Sequence, residues 1–343
     1  MIVDCHVHIL AMTAAHGKVS AYLRKRPNVV LARFKFGIPF FGTDEQLERA
    51  FENALARSIN QTPELDAVVG LAFDAVYNED GRLDDANTHL HVTNDYAADL
   101  ARRHPKILFG ASIHPYRKDA VAELERCVAA GAVLVKWLPL VQAFDPGSDK
   151  CRPFFEAMAH HKIPLLSHTG GELSLPQCAP QYASPAHLEL ALKCGVTVIA
   201  AHCGTRSQPF GDCHLATFIR MAKEHEHFYG DTSALCLPTR SYAIPRIMRD
   251  KEAWQKTVHG SDWPVVSIPP LQMGTPEAVR LWVTERNWMR RDVLGKRALG
   301  FDAAFFHRAG TLLRLPQNYT PVPTVVDRRI VSTISSMGKS SPS

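Results

Sequence analysis

Five residues far apart in the chain have the types and settings needed to hold a cation together. His6 and His8 lie in Asp4-Cys5-His6-Val7-His8, at the end of an apolar run. Residues two apart on a strand face the same way, so both imidazoles can point to one side and supply half of a zinc site. His168 follows the apolar run 163–167 and opens His168-Thr169-Gly170-Gly171, while His202 follows 196–201 and opens His202-Cys203-Gly204. One histidine after an apolar run is ordinarily a hydrogen-bonded core residue, but two at successive run ends repeat the first pattern. Asp262, in His259-Gly260-Ser261-Asp262-Trp263-Pro264, stands where the last run meets its loop. A buried unpaired carboxylate costs several kcal/mol, so it needs a cation or a proton, and a divalent metal meets that need.

The elements that must position these residues follow one plan, a short apolar run and then a helical stretch. The runs are 1–7, 65–73, 106–113, 132–138, 163–167, 196–201, 227–231 and 257–260, with the seventh the weakest. They are rich in Val, Ile, Leu and Ala without strict alternation, which suits strands buried on both faces. Helical periodicity marks 120–130, 152–161, 185–194 and 215–224 between them. Alternating strand and helix with single crossovers predicts a parallel sheet, and eight runs match a closed (β/α)8 TIM barrel. An open doubly wound sheet shows much the same alternation, and the strand-end motifs favour the barrel.

Two segments stand outside the repeat. Residues 10–63 form an insertion after strand 1, with a basic and aromatic stretch at 24–41 and a helix-like stretch at 44–59. A long connection there sits over the catalytic face and is a candidate lid. Arg24, Arg26, Arg33 and Lys35, interleaved with Phe34, Phe36, Phe40 and Phe41, either receive an anionic, partly apolar substrate or form a solvated basic surface over packed aromatics. The barrel domain is expected over 1–315, and the Pro-, Ser- and Thr-rich tail 316–343 is expected to be flexible.

Composition excludes more than it identifies. The 343 residues are 46% hydrophobic, as in an ordinary globular protein. A net charge of +5, from 39 basic and 34 acidic residues, is too diffuse to argue for nucleic acid. Eight cysteines read as reduced thiols of a cytoplasmic protein, with neither an export signal nor a run long enough to cross a membrane. Dinucleotide fingerprints, phosphate-binding loops and the serine-hydrolase elbow are absent.

The order His-x-His, His after strand 5, His after strand 6 and Gly-Ser-Asp-x-Pro at strand 8 resembles the amidohydrolase superfamily. Within it, the chain is most similar to the amidohydrolase-2 branch that includes aminocarboxymuconate semialdehyde decarboxylase. The resemblance implies one divalent metal, usually zinc, at His6, His8, His168 and Asp262. It places His202 beside the metal-activated water and lets Asp262 take that water's proton, making these two the catalytic pair. Lys136, in the fourth run, has two functional readings. As a carboxylated lysine it would bridge to a second metal on Lys136, His168 and His202, as in two-metal superfamily members. As an ammonium it would hold a substrate carboxylate, which is the reading favoured here together with a single ion; an ordinary ion pair with a neighbouring acid is the bland alternative. His114-Pro115 is typical of the superfamily's third strand and makes His114 a substrate-binding candidate or a packing residue. Glu172 and Tyr77 are weaker substrate contacts beside strand ends.

The leading expectation is hydrolysis of a C–O or C–N acyl bond, in a lactone, ester or amide of a small, carboxylate-bearing substrate. Non-oxidative decarboxylation of an unsaturated or aromatic acid uses the same metal and general base, and the motif residues do not separate the two. A TatD-type nuclease fits less well, because it expects glutamate where Lys136 stands, and a non-catalytic binding barrel conflicts with every ligand position being filled. Neither a nucleic-acid nor a membrane partner is expected. Such barrels often pair, and the apolar segment 301–306 is the candidate homodimer contact.

Overall fold

The computed structural model describes residues 1–270, 272–315 and Tyr319. Apart from Tyr319, the expectation for the tail 316–343 lies outside the described residues.

Eight parallel strands follow one another around the molecule in chain order. They are β1 (Val3–His8), β2 (Ala67–Leu71), β3 (Ile107–Ala111), β4 (Leu134–Trp137), β5 (Leu165–His168), β6 (Val198–Ala201), β7 (Phe228–Asp231) and β8 (Thr257–Val258). Each lies inside or within one residue of an apolar run. β8 pairs with β7 for only two residues, Thr257 with Gly230 and Val258 with Asp231, and then turns to β1. Cys5 N donates to the His259 carbonyl at 3.1 Å, Asp262 N to His6 O at 2.9 Å and His8 N to Trp263 O at 2.8 Å. Those bonds close the ring, giving the barrel architecture rather than an open sheet.

Strand interiors pack in two shells. Val3, Cys5, Ala67, Val69, Leu71, Leu134, Leu166, Ile199 and Val258 fill the inside of the barrel, with Ala309 and Leu313 plugging its floor. The alternate residues, among them Val68, Val135, Leu165 and Val198, pack outward with the helices. Burial on both faces explains why the runs lack polar alternation. The register of β1 on β2 slips between Asp4 and Val7. Val3 and Cys5 therefore face the barrel interior while Val7 joins the outer shell. Without that slip, a strand with Val3 and Cys5 inside would turn His6 and His8 away from the mouth.

The insertion has structure of its own. Gly17–Val19 pairs antiparallel with Leu90–Val92, and helices cover Ala21–Arg24, Pro27–Phe36 and Asp44–Asn60. The last is amphipathic and carries a capping box, Thr43 and Gln46 each bonding the other's backbone, which accounts for its clear sequence signal. Phe36 wedges between Trp263, at 4.9 Å, and Trp288, at 5.1 Å between ring centroids. Arg26 donates to the Leu173 carbonyl at 2.6 Å, and the Asn28 amide to Ser174 Oγ at 2.6 Å. Those partners follow β5, on the opposite side of the ring from β1, so the insertion reaches across the barrel mouth. Of the aromatics expected to pack underneath, only Phe36 does so; Phe34, Phe40 and Phe41 are exposed.

The expectation that the apolar segment 301–306 supplies a contact between copies is corrected. Phe301, Phe305 and Phe306 are buried within the chain, stacked around Trp254 and His259, because the helix Ala303–Leu312 folds back under the barrel. No described helix is long and apolar enough to cross a membrane.

Candidate metal centre at the barrel mouth

All five motif residues meet at the C-terminal rim of the strands. The rings of His6 and His8 lie 5.0 Å apart, those of His6 and His202 5.2 Å, and those of His168 and His202 4.8 Å. Ligand atoms of His6, His202 and Asp262 all fall within 4.8 Å of one another, and all three residues are buried. His8 Nε2 sits 3.0 Å from Asp262 Oδ1, and His6 Nε2 lies 3.3 Å from the same oxygen. His168 Nε2 is buried with no hydrogen-bond partner, 3.8 Å from Glu172 Oε2. The tightest trio thus contains His202, expected beside the metal, and leaves His8 and His168 in contact with its members.

Ring orientation is set from behind. His6 Nδ1 meets Asp231 Oδ2 at 2.7 Å, and His202 Nδ1 meets the Ser233 carbonyl at 3.0 Å. A carboxylate and a carbonyl only accept, so both Nδ1 atoms carry the proton and both Nε2 lone pairs face the mouth, that of His6 toward Lys136 Nζ at 3.1 Å. Asp231 Oδ1 also accepts from His202 N at 2.8 Å and Ser233 N at 3.0 Å, tying the two histidine strands to one carboxylate. On the far side Asp4 Oδ1 accepts from His6 N at 3.1 Å and Ser261 N at 2.9 Å, linking β1 to the loop that carries Asp262. His202 and Asp262 have left-handed backbones, with φ 59° and 67°. Such residues cost of order 1–3 kcal/mol each and persist where the surroundings over-determine them, as these hydrogen bonds do.

Close approach demands glycine at two places. A Cβ on Gly170, at φ 78°, would meet the Thr205 carbonyl at 2.2 Å, so the loops after β5 and β6 could not pack together. One on Gly260 would lie 2.9 Å from the Cβ of His6.

Electrostatics favour neutral imidazoles. Burial pushes the pKa of His6, His168 and His202 well below the ordinary histidine value, and nearby cations add to the effect. Burial alone would raise the Asp262 pKa, but His6 and the His8 hydrogen bond outweigh it and hold the group below the usual carboxylate range. Lys136 is 1% exposed, with Nζ 3.1 Å from His6 Nε2, and burial lowers its pKa to about 8 against the pull of Asp231 and Asp262. Neutral nitrogens plus a carboxylate oxygen are the donor set of a borderline divalent ion, and the orphaned His168 Nε2 is a further buried nitrogen in want of a partner.

The remaining candidates are placed differently. His114 is buried, with Nε2 on the Gln142 carbonyl at 2.9 Å and Nδ1 accepting from Tyr116 N at 3.1 Å. Both ring nitrogens are therefore engaged within the protein, among Tyr77, Tyr116 and Phe144. Glu172 Oε1 accepts from Ser174 N at 2.6 Å and Leu175 N at 3.0 Å, shaping its own loop while Oε2 turns toward His168. Tyr77 is half-buried, beneath the Arg117 guanidinium. Sequence reasoning missed Asp231, Ser233 and Arg240. Asp231 closes the seventh run, the same strand-end setting that drew attention to His168 and His202; nothing local distinguishes the other two.

A closed ring of eight parallel strands with histidines and a carboxylate gathered on its C-terminal rim defines a TIM-barrel enzyme of the metal-dependent kind. Residues 3–274 match the amidohydrolase family Amidohydro_2, and the chain belongs to that family. Similar solved structures include an uncharacterized TIM-barrel protein from Bordetella bronchiseptica, 17% identical, with TM-score 0.57 over 90% of this chain and 99% of that one. Another, described as a probable 2-pyrone-4,6-dicarboxylic acid hydrolase from Acinetobacter baumannii with citric acid bound, is 14% identical, with TM-score 0.50 over 88% of this chain and 99% of that one. No protein of curated function matches the sequence.

Proposed function

We propose that the chain is a metal-dependent hydrolase acting on a C–O or C–N acyl bond of a small, carboxylate-bearing substrate, with His6, His8, His168 and Asp262 as the metal residues and His202 with Asp262 as the catalytic pair. The observation that supports this most is the buried cluster in which His6, His202 and Asp262 bring ligand atoms within 4.8 Å of one another, with His8 against Asp262 and the unpartnered Nε2 of His168 buried in the same cluster. A divalent ion held by His6, His8, His168 and Asp262, with His202 beside it, would polarise an acyl carbonyl and make water a nucleophile near neutral pH. Asp262, ionised and facing His6 and His8, would take a proton from attacking water. His202, neutral and Nδ1-protonated, offers Nε2 as a second acceptor and as an orienting group. Lys136 remains a substrate-binding residue in this reading, with one ion, most simply zinc, per chain. His114 and Glu172 act at one remove, by shaping the walls. The insertion 10–63 serves as the cap over the mouth of a barrel spanning 1–315.

The test is metal analysis of the purified protein and of His6→Ala, alongside a panel of carboxylate-bearing lactones, esters and amides with carbon dioxide captured. About one tightly bound ion is expected, lost in His6→Ala together with hydrolysis while the fold persists. Two ions would move Lys136 to a bridging role. Carbon dioxide release without acyl cleavage would replace hydrolysis by decarboxylation, and a protein free of divalent metal would defeat both.

A further inference from the structure

Arg240 follows β7 and is 4% exposed. Its Nη1 donates to the Thr205 carbonyl at 2.7 Å and the Thr205 hydroxyl at 2.8 Å, and its Nη2 donates to the Gly171 carbonyl at 2.7 Å. Nε is buried and has no partner. All three acceptors are neutral, so a full charge is buried with no carboxylate in contact among the described residues. Burying a charge without a counter-ion is costly, and a neutral donor could tie the same loops together at less expense.

Its place in the fold suggests what completes it. Gly171 lies three residues after His168 and Thr205 three after His202, so the guanidinium spans the two loops that carry those histidines. Asp262 and Glu172 are the carboxylates whose fields it feels most, and both are engaged elsewhere, Asp262 with His6 and His8 and Glu172 with the amides of its own loop. Guanidinium presents five donors in a fixed fork suited to a carboxylate, and three of Arg240's are spent on Thr205 and Gly171.

We propose that Arg240 is a substrate-anchoring residue that takes an anionic group, a carboxylate, at the rim beside His168 and His202. The assignment rests on the mouth being the active site and says which residue selects the carboxylate that the reading above gives the substrate. It predicts recognition of organic acids in preference to their neutral amides, whichever bond is then cleaved.

Calorimetric titration of the metal-loaded protein with glutarate, and with glutaramide as its uncharged counterpart, tests this without turnover. The native chain should bind glutarate more tightly than glutaramide. Arg240→Met should weaken glutarate by about tenfold or more and leave glutaramide unchanged. Arg240→Lys, which keeps the charge and loses the fork, should fall between. Thr205→Val removes the hydroxyl that accepts from Arg240 and donates to the His202 carbonyl at 2.8 Å, but it removes no charge and leaves the Thr205 and Gly171 carbonyls to the guanidinium, so it should bind glutarate as the native chain does. Equal affinity for the two probes, an unaffected Arg240→Met, or a Thr205→Val that mimics Arg240→Met would each overturn the assignment. So would failure of both Arg240 variants to fold, since that would make the residue a structural staple. Glutarate binding that depends on Arg240 in a protein with no hydrolytic activity would defeat the reaction proposed above and leave this assignment standing.

Discussion

Replacing Asp231 by asparagine should cost metal affinity far more than it costs the fold. Both carboxylate oxygens of Asp231 face donors: Oδ2 meets His6 Nδ1 at 2.7 Å, and Oδ1 meets His202 N at 2.8 Å and Ser233 N at 3.0 Å. Asparagine has one acceptor and one donor, so it satisfies only one side. If its amide nitrogen turns to His6, Nδ1 must become the acceptor and the ring proton moves to Nε2, the atom 3.3 Å from Asp262 that the cation needs. If it turns the other way, it opposes two backbone N–H groups, and His6 keeps a weaker, uncharged acceptor. Losing a carboxylate that orients a metal-binding histidine typically costs 10–100-fold in affinity, about 1.4–2.7 kcal/mol. The unsatisfied donors should cost the metal-free fold about 1–3 kcal/mol. Competition for zinc against a chromophoric chelator reads the first quantity, and urea unfolding of the chelated protein reads the second. Unchanged zinc affinity in Asp231→Asn would refute the view that this carboxylate sets the His6 tautomer. A loss of stability with no loss of affinity would mean that it is only a backbone clamp.

Three other perturbations probe the frame around the site. Gly260→Ala places a methyl group 2.9 Å from the His6 Cβ and 3.2 Å from that of Ser233, and should cost about 1–3 kcal/mol in urea unfolding and weaken zinc binding; a neutral result would mean that β1 and the β8 loop are not in such close contact. Lys296, fully buried, bonds the Gly260 carbonyl at 2.8 Å and pairs with Asp292, so Lys296→Met should lose about 3–5 kcal/mol by stranding a buried carboxylate. Adding Asp292→Leu should recover most of that loss, and a double variant no more stable than the single would show that the pair is not the cause. Phe36→Ala removes the ring between Trp263 and Trp288 and should speed hydrogen exchange in 24–41 while the barrel strands stay protected; unchanged exchange there would mean that the cap is held by its other contacts.

Much of the architecture could be read from local pattern. Strands buried on both faces must be short and apolar, and helices between them must carry a 3.6-residue period, so the order of elements was visible in the sequence. Metal-type residues at four of the run ends stood out for the same reason, since a strand end on a barrel rim is where such side chains can converge. The resemblance to the amidohydrolases rests on that linear order, and the family match over 3–274 shows the membership.

Contacts between distant segments were another matter. Whether His6 faces the mouth depends on a slip in the β1–β2 register, which no feature of 1–8 announces. Asp231 orients His6 from 225 residues away, and the need for it appears only when the ring closes. The phenylalanines at 301–306 look like an interface in one dimension and become core in three, because the helix that carries them folds beneath Trp254 and His259. Arg240 is one arginine among many until Gly171 and Thr205 close around it. Periodicity and residue type report what each segment wants to bury or bind. Which partner satisfies it is decided by the packing of chain remote in sequence, and there the chemistry of this site is set.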